Sequence, residues 1–252
     1  MTNRNISEVG LELAPTGTLK CTINYGNPIL ARYEHASGEV SGVSVDLARK
    51  LADEIRVPLE LVVLESAGKA VAAVERGDAD VGFFARDPDR ADLIAFTEPY
   101  VLIEGCYLVR AESTINTLDE VDAVGNRIMV GKGSAYDLFL SRQIVHASIE
   151  RAQTSPAVVQ SFLDSGADVA AGVRQQLEKD AAAIGGLRLV PGRFMVIEQA
   201  MGVARTHGSI AEAYLRAFVE RAKSEGFVEQ ALARHRVEGA AVAPVVDISR
   251  LS

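Results

Sequence analysis

Asp78-Ala-Asp-Val-Gly-Phe-Phe-Ala-Arg-Asp-Pro-Asp-Arg90, followed by Ile94-Ala-Phe-Thr-Glu-Pro-Tyr100, joins an apolar run to a turn and then to a second extended segment. Ala79 to Phe84 reads as a buried strand, and the turn after it carries Arg90. The stretch therefore aims one cation beyond the end of a strand. An arginine held this way grips a carboxylate through parallel charge-assisted hydrogen bonds, which makes it a recognition device before a catalytic one.

Towards the N-terminus the pattern alternates. Leu19 to Ile23 is expected as a strand, broken by the turn formers Asn24-Tyr-Gly-Asn-Pro28. Ser44 is expected to cap a helix bearing Val43, Leu47, Leu51 and Ile55 at helical spacing, with Asp46 in its first turn. A strand over Leu59 to Leu64 follows Pro58, and Ser66 caps a short helix that Gly77 ends. Strand, helix, strand, helix, strand implies a mostly parallel sheet whose ligands sit beyond the C-terminal strand ends.

Towards the C-terminus the alternation restarts, which predicts a second lobe. Arg127 to Val130 is a strand, Gly131-Lys-Gly-Ser134 a loop, and Ala135 to about His146 a helix with Leu138, Phe139 and Val145 inward. Ser155-Pro156 starts a helix that Gly166 stops, and Val169 to Val173 is a strand that delivers Arg174 at its end. Helices from Ile210 and Phe227 close the chain. Extended segments near Glu104 to Val109 and Met195 to Ala204 are expected to cross between the lobes, and two crossings make a hinge.

With 252 residues and 48% hydrophobic content the chain is long enough for two cores. A formal charge of -8 with no basic run argues against a nucleic-acid partner. No apolar run approaches a membrane span, and the first ten residues lack a signal-peptide core. As written, the chain is expected in the cytoplasm, Met1 being read as a natural start, or in the periplasm if a signal precedes it. Cys21 and Cys106 read as buried thiols, and His35, His146, His207 and His235 have no metal-ligand spacing. No metal or cofactor is expected. Lys132 follows Gly131 without the spacing or the hydroxyl residue of a phosphate loop.

Several motifs together resemble the bacterial family 3 extracellular solute-binding proteins, the polar-amino-acid type of receptors for ABC importers, from about Gly17 to Arg236. They are Gly38-Glu-Val-Ser-Gly-Val-Ser-Val-Asp-Leu-Ala48, Gly77 to Gly82, Arg90 ahead of Ile94 to Tyr100, Gly131 to Ser134, and Gly226-Phe227. The resemblance implies a two-lobed α/β fold of the type II periplasmic-binding-protein class, closing on a small ligand. Lobe 1 is placed at 17–107 and 201–240 and lobe 2 at 108–200, with 1–16 and 241–252 as terminal extensions. It also implies that Arg90 holds the ligand's α-carboxylate, helped by the amides of Gly133, Ser134 and Ala135 at a helix start.

Two departures bear on the ligand. Small hydroxyl residues usual at one strand end are replaced by Phe83 and Phe84, and the position of the acid that meets an ammonium group is occupied by Arg174. Arg90, Arg174 and Lys132 around one cleft predict an anionic solute: an organic acid such as a dicarboxylate, a keto acid or an aromatic carboxylate, or an amino-acid-like carboxylate. Tyr25, with Asn24 and Asn27 beside it, is a candidate lid, and Tyr136 faces either the cleft or the packing between lobes. The expected protein is a monomeric, non-enzymatic receptor, partnered by an importer's permease or acting as a sensor. The alternative is a cyclohexadienyl dehydratase on the same scaffold, for which Glu104 is the nearest acid.

Overall fold

The computed structural model describes residues 3–247; Met1, Thr2 and the end of the expected C-terminal extension, 248–252, lie outside the described residues. Within the expected 1–16 extension the chain forms α1 (Asn3–Leu13), which buries Val9 and Leu13. Then come β1 (Leu19–Asn24), the hairpin strands β2 (Arg32–Glu34) and β3 (Glu39–Ser41), α2 (Val43–Ile55), β4 (Leu59–Leu64), α3 (Ala67–Glu75) and β5 (Val81–Ala85). The short α4 (Pro88–Ala91), β6 (Ile94–Phe96) and β7 (Val101–Arg110) complete the first run. The second contains β8 (Arg127–Gly131), α5 (Ala135–Gln143), β9 (Ser148–Ala152), α6 (Val158–Ser165), β10 (Val169–Val173), α7 (Arg174–Ile184) and β11 (Leu187–Leu189). β12 (Met195–Ala204), α8 (Ser209–Ser224), α9 (Phe227–Arg234) and β13 (Ala241–Val242) follow.

One curled sheet runs in the order β4-β1-β5-β12-β7-β10-β8-β9, with β6, β11 and β13 attached to its middle strands. Its outer blocks are parallel: β1 pairs with β4 and β5, and β8 pairs with β9 and β10. These are the blocks built from strand–helix–strand crossovers. The centre is antiparallel, because β7 and β12, ten residues each, run past one another from Met195 opposite Gly105 to Gln199 opposite Val101. Beyond that overlap β12 pairs with β5 and β7 with β10, so these two strands join the blocks where crossings were expected.

Several local expectations are corrected. α2 starts at Val43, which is fully buried, so its cap is Gly42 and Ser44 lies buried inside the first turn. Ser66 does cap α3, accepting the Lys69 amide at 3.4 Å. α5 stops at Gln143 rather than near His146, because the Asp122 carboxylate takes the amides of Val145, His146 and Ala147. Val145, expected inward, is 77% exposed. The hydrophobic core is continuous through both blocks, with smaller clusters behind α6 and α7 and behind α3. Cys21 and Cys106 are buried in it as free thiols, and burial pushes Cys106 up to about 11.

Candidate functional site

A cavity of about 70 Å³ lies between the C-terminal end of the β1–β5 block, the first turns of α5 and α6, and the first two turns of α7. By water-sized measure that is room for several waters or a small solute. Arg90 reaches it from α4, a four-residue helix opened by Pro88 and capped by Asp87, whose Oδ1 accepts the Asp89 amide at 2.9 Å. The Arg90 side chain is almost entirely buried. Its guanidinium donates to the Ala85 carbonyl at 3.1 Å and to the Gly133 carbonyl, in the loop ahead of α5, at 2.8 Å. Burial lowers its pKa, against the opposing fields of Asp87 and Asp89, so the site favours an anion beside it. A guanidinium has further N–H donors for that anion.

The loop ahead of α5 is built differently from the expected amide cradle. Gly133 adopts a left-handed φ of 67° that turns its carbonyl towards Arg90, while its amide donates to Asp137 Oδ2 at 2.8 Å. The Ser134 amide donates to the Gly131 carbonyl, and the Ser134 hydroxyl accepts the Asp137 amide at 3.1 Å. Gly133 and Ser134 thus spend their amides on the loop, and of the expected trio Ala135 alone lines the cavity. Tyr136 lines it too, fully inward, with its phenol pushed up by burial.

Phe83 and Phe84 both line the cavity as expected, anchored by edge-on contacts to Tyr100 and Phe96 respectively. Asn24 is also present, its side chain turned onto the Gly26 amide at 3.0 Å. Tyr25 is not: it packs tilted against Tyr33 and edge-on to His35, and lines a separate outer groove with Tyr33.

Arg174 lines that outer groove as well, and not the cavity. It opens α7 instead of ending a strand, and its Nε lies 2.6 Å from Glu104 Oε2. Arg193 holds the other Glu104 oxygen at 2.7 Å. Hydrogen bonds from Arg193 and Arg174 keep the Glu104 carboxyl below its usual range, so it stays ionised. Neither Glu104 nor the exposed Lys132 lines the cavity. The acid that does is Asp180, one turn along α7 from Gln176, whose Nε2 donates to Asp180 Oδ1 at 2.8 Å. Asp180 Oδ2 and Asn27 Oδ1 are buried without a donor, which leaves two acceptors at the cavity wall unanswered. Among the described residues that line it, Arg90 and Asp180 are the charged ones. Gln176 and Asp180 were missed because the helix carrying them was missed; the run Arg174-Gln-Gln-Leu-Glu-Lys-Asp180 has the straight-chain residues of a helix and would have exposed the spacing.

No helix among the described residues is long and apolar enough to cross a membrane, and no group of three or more His, Cys, Asp or Glu among them is placed to hold a metal ion.

The sequence profile of the bacterial extracellular solute-binding proteins, family 3, matches residues 20–236. The chain belongs to that family. This family 3 protein is 24% identical over 153 residues to an amino-acid-binding protein, AabA, of Dichelobacter nodosus, a match covering 59% of the chain and 60% of that relative's length. Its fold is shared with an ABC-transporter binding component from Wolinella succinogenes in complex with lysine, at 20% identity and a TM-score of 0.74 over 93% of this chain and 98% of that one. It is shared also with a solute receptor for L-cysteine of Neisseria gonorrhoeae, at 19% identity and a TM-score of 0.75 over 95% of each. The family 3 solute-binding fold is therefore of the type II periplasmic-binding-protein class.

Proposed function

We propose that this protein is a receptor for a zwitterionic α-amino acid with an uncharged side chain. One observation carries the reading: a buried guanidinium and a carboxylate with an unanswered oxygen, Arg90 and Asp180, line the same small cavity. An α-carboxylate satisfies the first, and an α-ammonium satisfies Asp180 together with Asn27 Oδ1. Nothing charged then remains for a second carboxylate or a basic side chain, and an unmatched charge costs several kcal/mol of desolvation, on the order of its whole binding contribution. The anionic solute expected from Arg174 loses its second cation, because Glu104 neutralises that arginine. The relatives named above, for an amino acid, lysine and L-cysteine, support the class.

In this reading, 17–107 with 201–240 and 108–200 are two lobes hinged where β7 and β12 pass. The ligand favours the closed arrangement through contacts made only there. An ABC-type permease is the predicted partner of a monomeric receptor. No chemical step is invoked, since Glu104, the acid on which a dehydratase would rely, lies outside the cavity and is held ionised.

A thermal-shift panel tests this. Alanine, serine, cysteine or another neutral amino acid should raise the midpoint, because a ligand at about 100 times its Kd adds roughly 2.7 kcal/mol. Arg90→Ala and Asp180→Asn should each abolish the shift. A midpoint raised by succinate or 2-oxoglutarate and not by any neutral amino acid would sink the proposal, and turnover of prephenate would replace it with an enzyme.

A further inference from the structure

Beside Arg90, α5 is tied to α4 by an ion cluster that neither the family match nor the ligand reading assigns. Arg142, in the last turn of α5, places NH2 2.7 Å from Asp87 Oδ2 and NH1 3.2 Å from Asp87 Oδ1 and 2.7 Å from Asp89 Oδ2. α5 belongs to the β8–β10 block and α4 to the β5 block, so these bonds tie the two sides of the cavity together. Asp87 is 5% exposed at its side chain, which shields this pair from solvent and salt far more than an ordinary surface pair. The fork-on-carboxylate geometry adds orientation to attraction.

Asp87 is also the cap of α4, the helix that holds Arg90, and Arg90 itself reaches across to Gly133 just ahead of α5. The two helices are therefore bonded at both ends of α5: at its start through Arg90, and at its last turn through Arg142. We propose that Arg142 is a positioning residue for ligand capture: a clasp on Asp87 and Asp89 that holds the blocks closed and keeps Arg90 seated at the cavity. The ligand adds its contacts to this clasp, and dissociation requires that it open. The inference rests on the hinge of the preceding reading and on no particular ligand.

Spin labels on cysteines replacing exposed Glu75 in α3 and Gln160 in α6 report the separation of the blocks by pulsed dipolar spectroscopy, in buffer without added solute. Cys21 and Cys106 are buried. The unsubstituted clasp should give one narrow, short distance. Arg142→Met, which keeps the side chain's length, and Asp87→Asn, which keeps an α4 cap, should both move the population to longer distances, with Arg142→Lys intermediate. Circular dichroism melts of the same proteins verify that each variant is folded. A long distance before substitution overturns the clasp, as does an unchanged distance in Arg142→Met or in Asp87→Asn. These outcomes are independent of the ligand panel, which alone decides the amino-acid reading.

Discussion

Arg90 and Arg174 each follow a strand of this chain, and their surroundings make them different reagents. Arg90 is buried, bonded to carbonyls and lacks a carboxylate of its own, whereas Arg174 is half-exposed and spent on Glu104. Gly82 shows how narrowly the strand carrying Phe83 and Phe84 is fitted. A Cβ on Gly82 would lie 1.9 Å from Cζ of Phe84, whose ring folds back over the strand. Gly82→Ala should expel that ring from its contact with Phe96 and cost about 1–3 kcal/mol as overpacking. Urea unfolding followed by circular dichroism should show a lower midpoint with an unchanged slope; an unchanged midpoint would mean that the ring moves freely.

The start of α5 is the element on which both sides of the site depend. Ser134 and Asp137 together fix this helix start, since the Ser134 hydroxyl accepts the Asp137 amide and the Asp137 carboxylate accepts the Gly133 amide and the Arg151 guanidinium. Ser134→Ala should lower stability by about 1 kcal/mol, the usual loss of such a cap. It should also weaken ligand binding, because the Gly133 carbonyl that seats Arg90 belongs to the same turn. A calorimetric titration showing full affinity in a destabilised Ser134→Ala protein would separate the cap from the site. α7 is the counterpart element: its first residue faces Glu104 and its later turns face the cavity, so one helix supplies both the arginine that Glu104 holds and the acid at the cavity wall.

Across the molecule, carboxylates that gain donors on folding set the acid limit of stability. Glu54 beside Arg221 and Lys50, Asp122 beneath three amides, and Glu104 between Arg193 and Arg174 all have lowered pKa values; for Glu54 these partners outweigh the burial that acts against them. A depressed carboxylate contributes stability that is present above its unfolded value, about 3.9–4.3, and is lost as pH falls through its folded value. Asp80, raised chiefly by burial, runs the other way and softens the fall. The melting midpoint should therefore change little from pH 7 to about 5 and drop steeply below about 4. Asp122→Asn should flatten that drop in a pH series of calorimetric melts; an identical acid limb would remove Asp122 from the cause.

Periodicity and turn chemistry are local, and they were enough to place β1, α2, β4, α3, β5, β8 and β10 and to set Arg90 in the turn after β5, because each depends on residues within a few positions of itself. Buried strands β1, β5 and β10 announce themselves as apolar runs between turn formers, whatever they pair with. Partner choice is not local. Glu104 claims Arg174 from 70 residues away, and Asp87 meets Arg142 from 55, pairings that no spacing rule contains. Which charges reach the cavity is read from those long-range contacts: Glu104 holds Arg174 outside it, and Asp180, later on the same helix, lines its wall. Charge type was thus legible at every position, but the sign of the site was settled by packing, since a charge counts at a cavity only when no nearer partner has neutralised it.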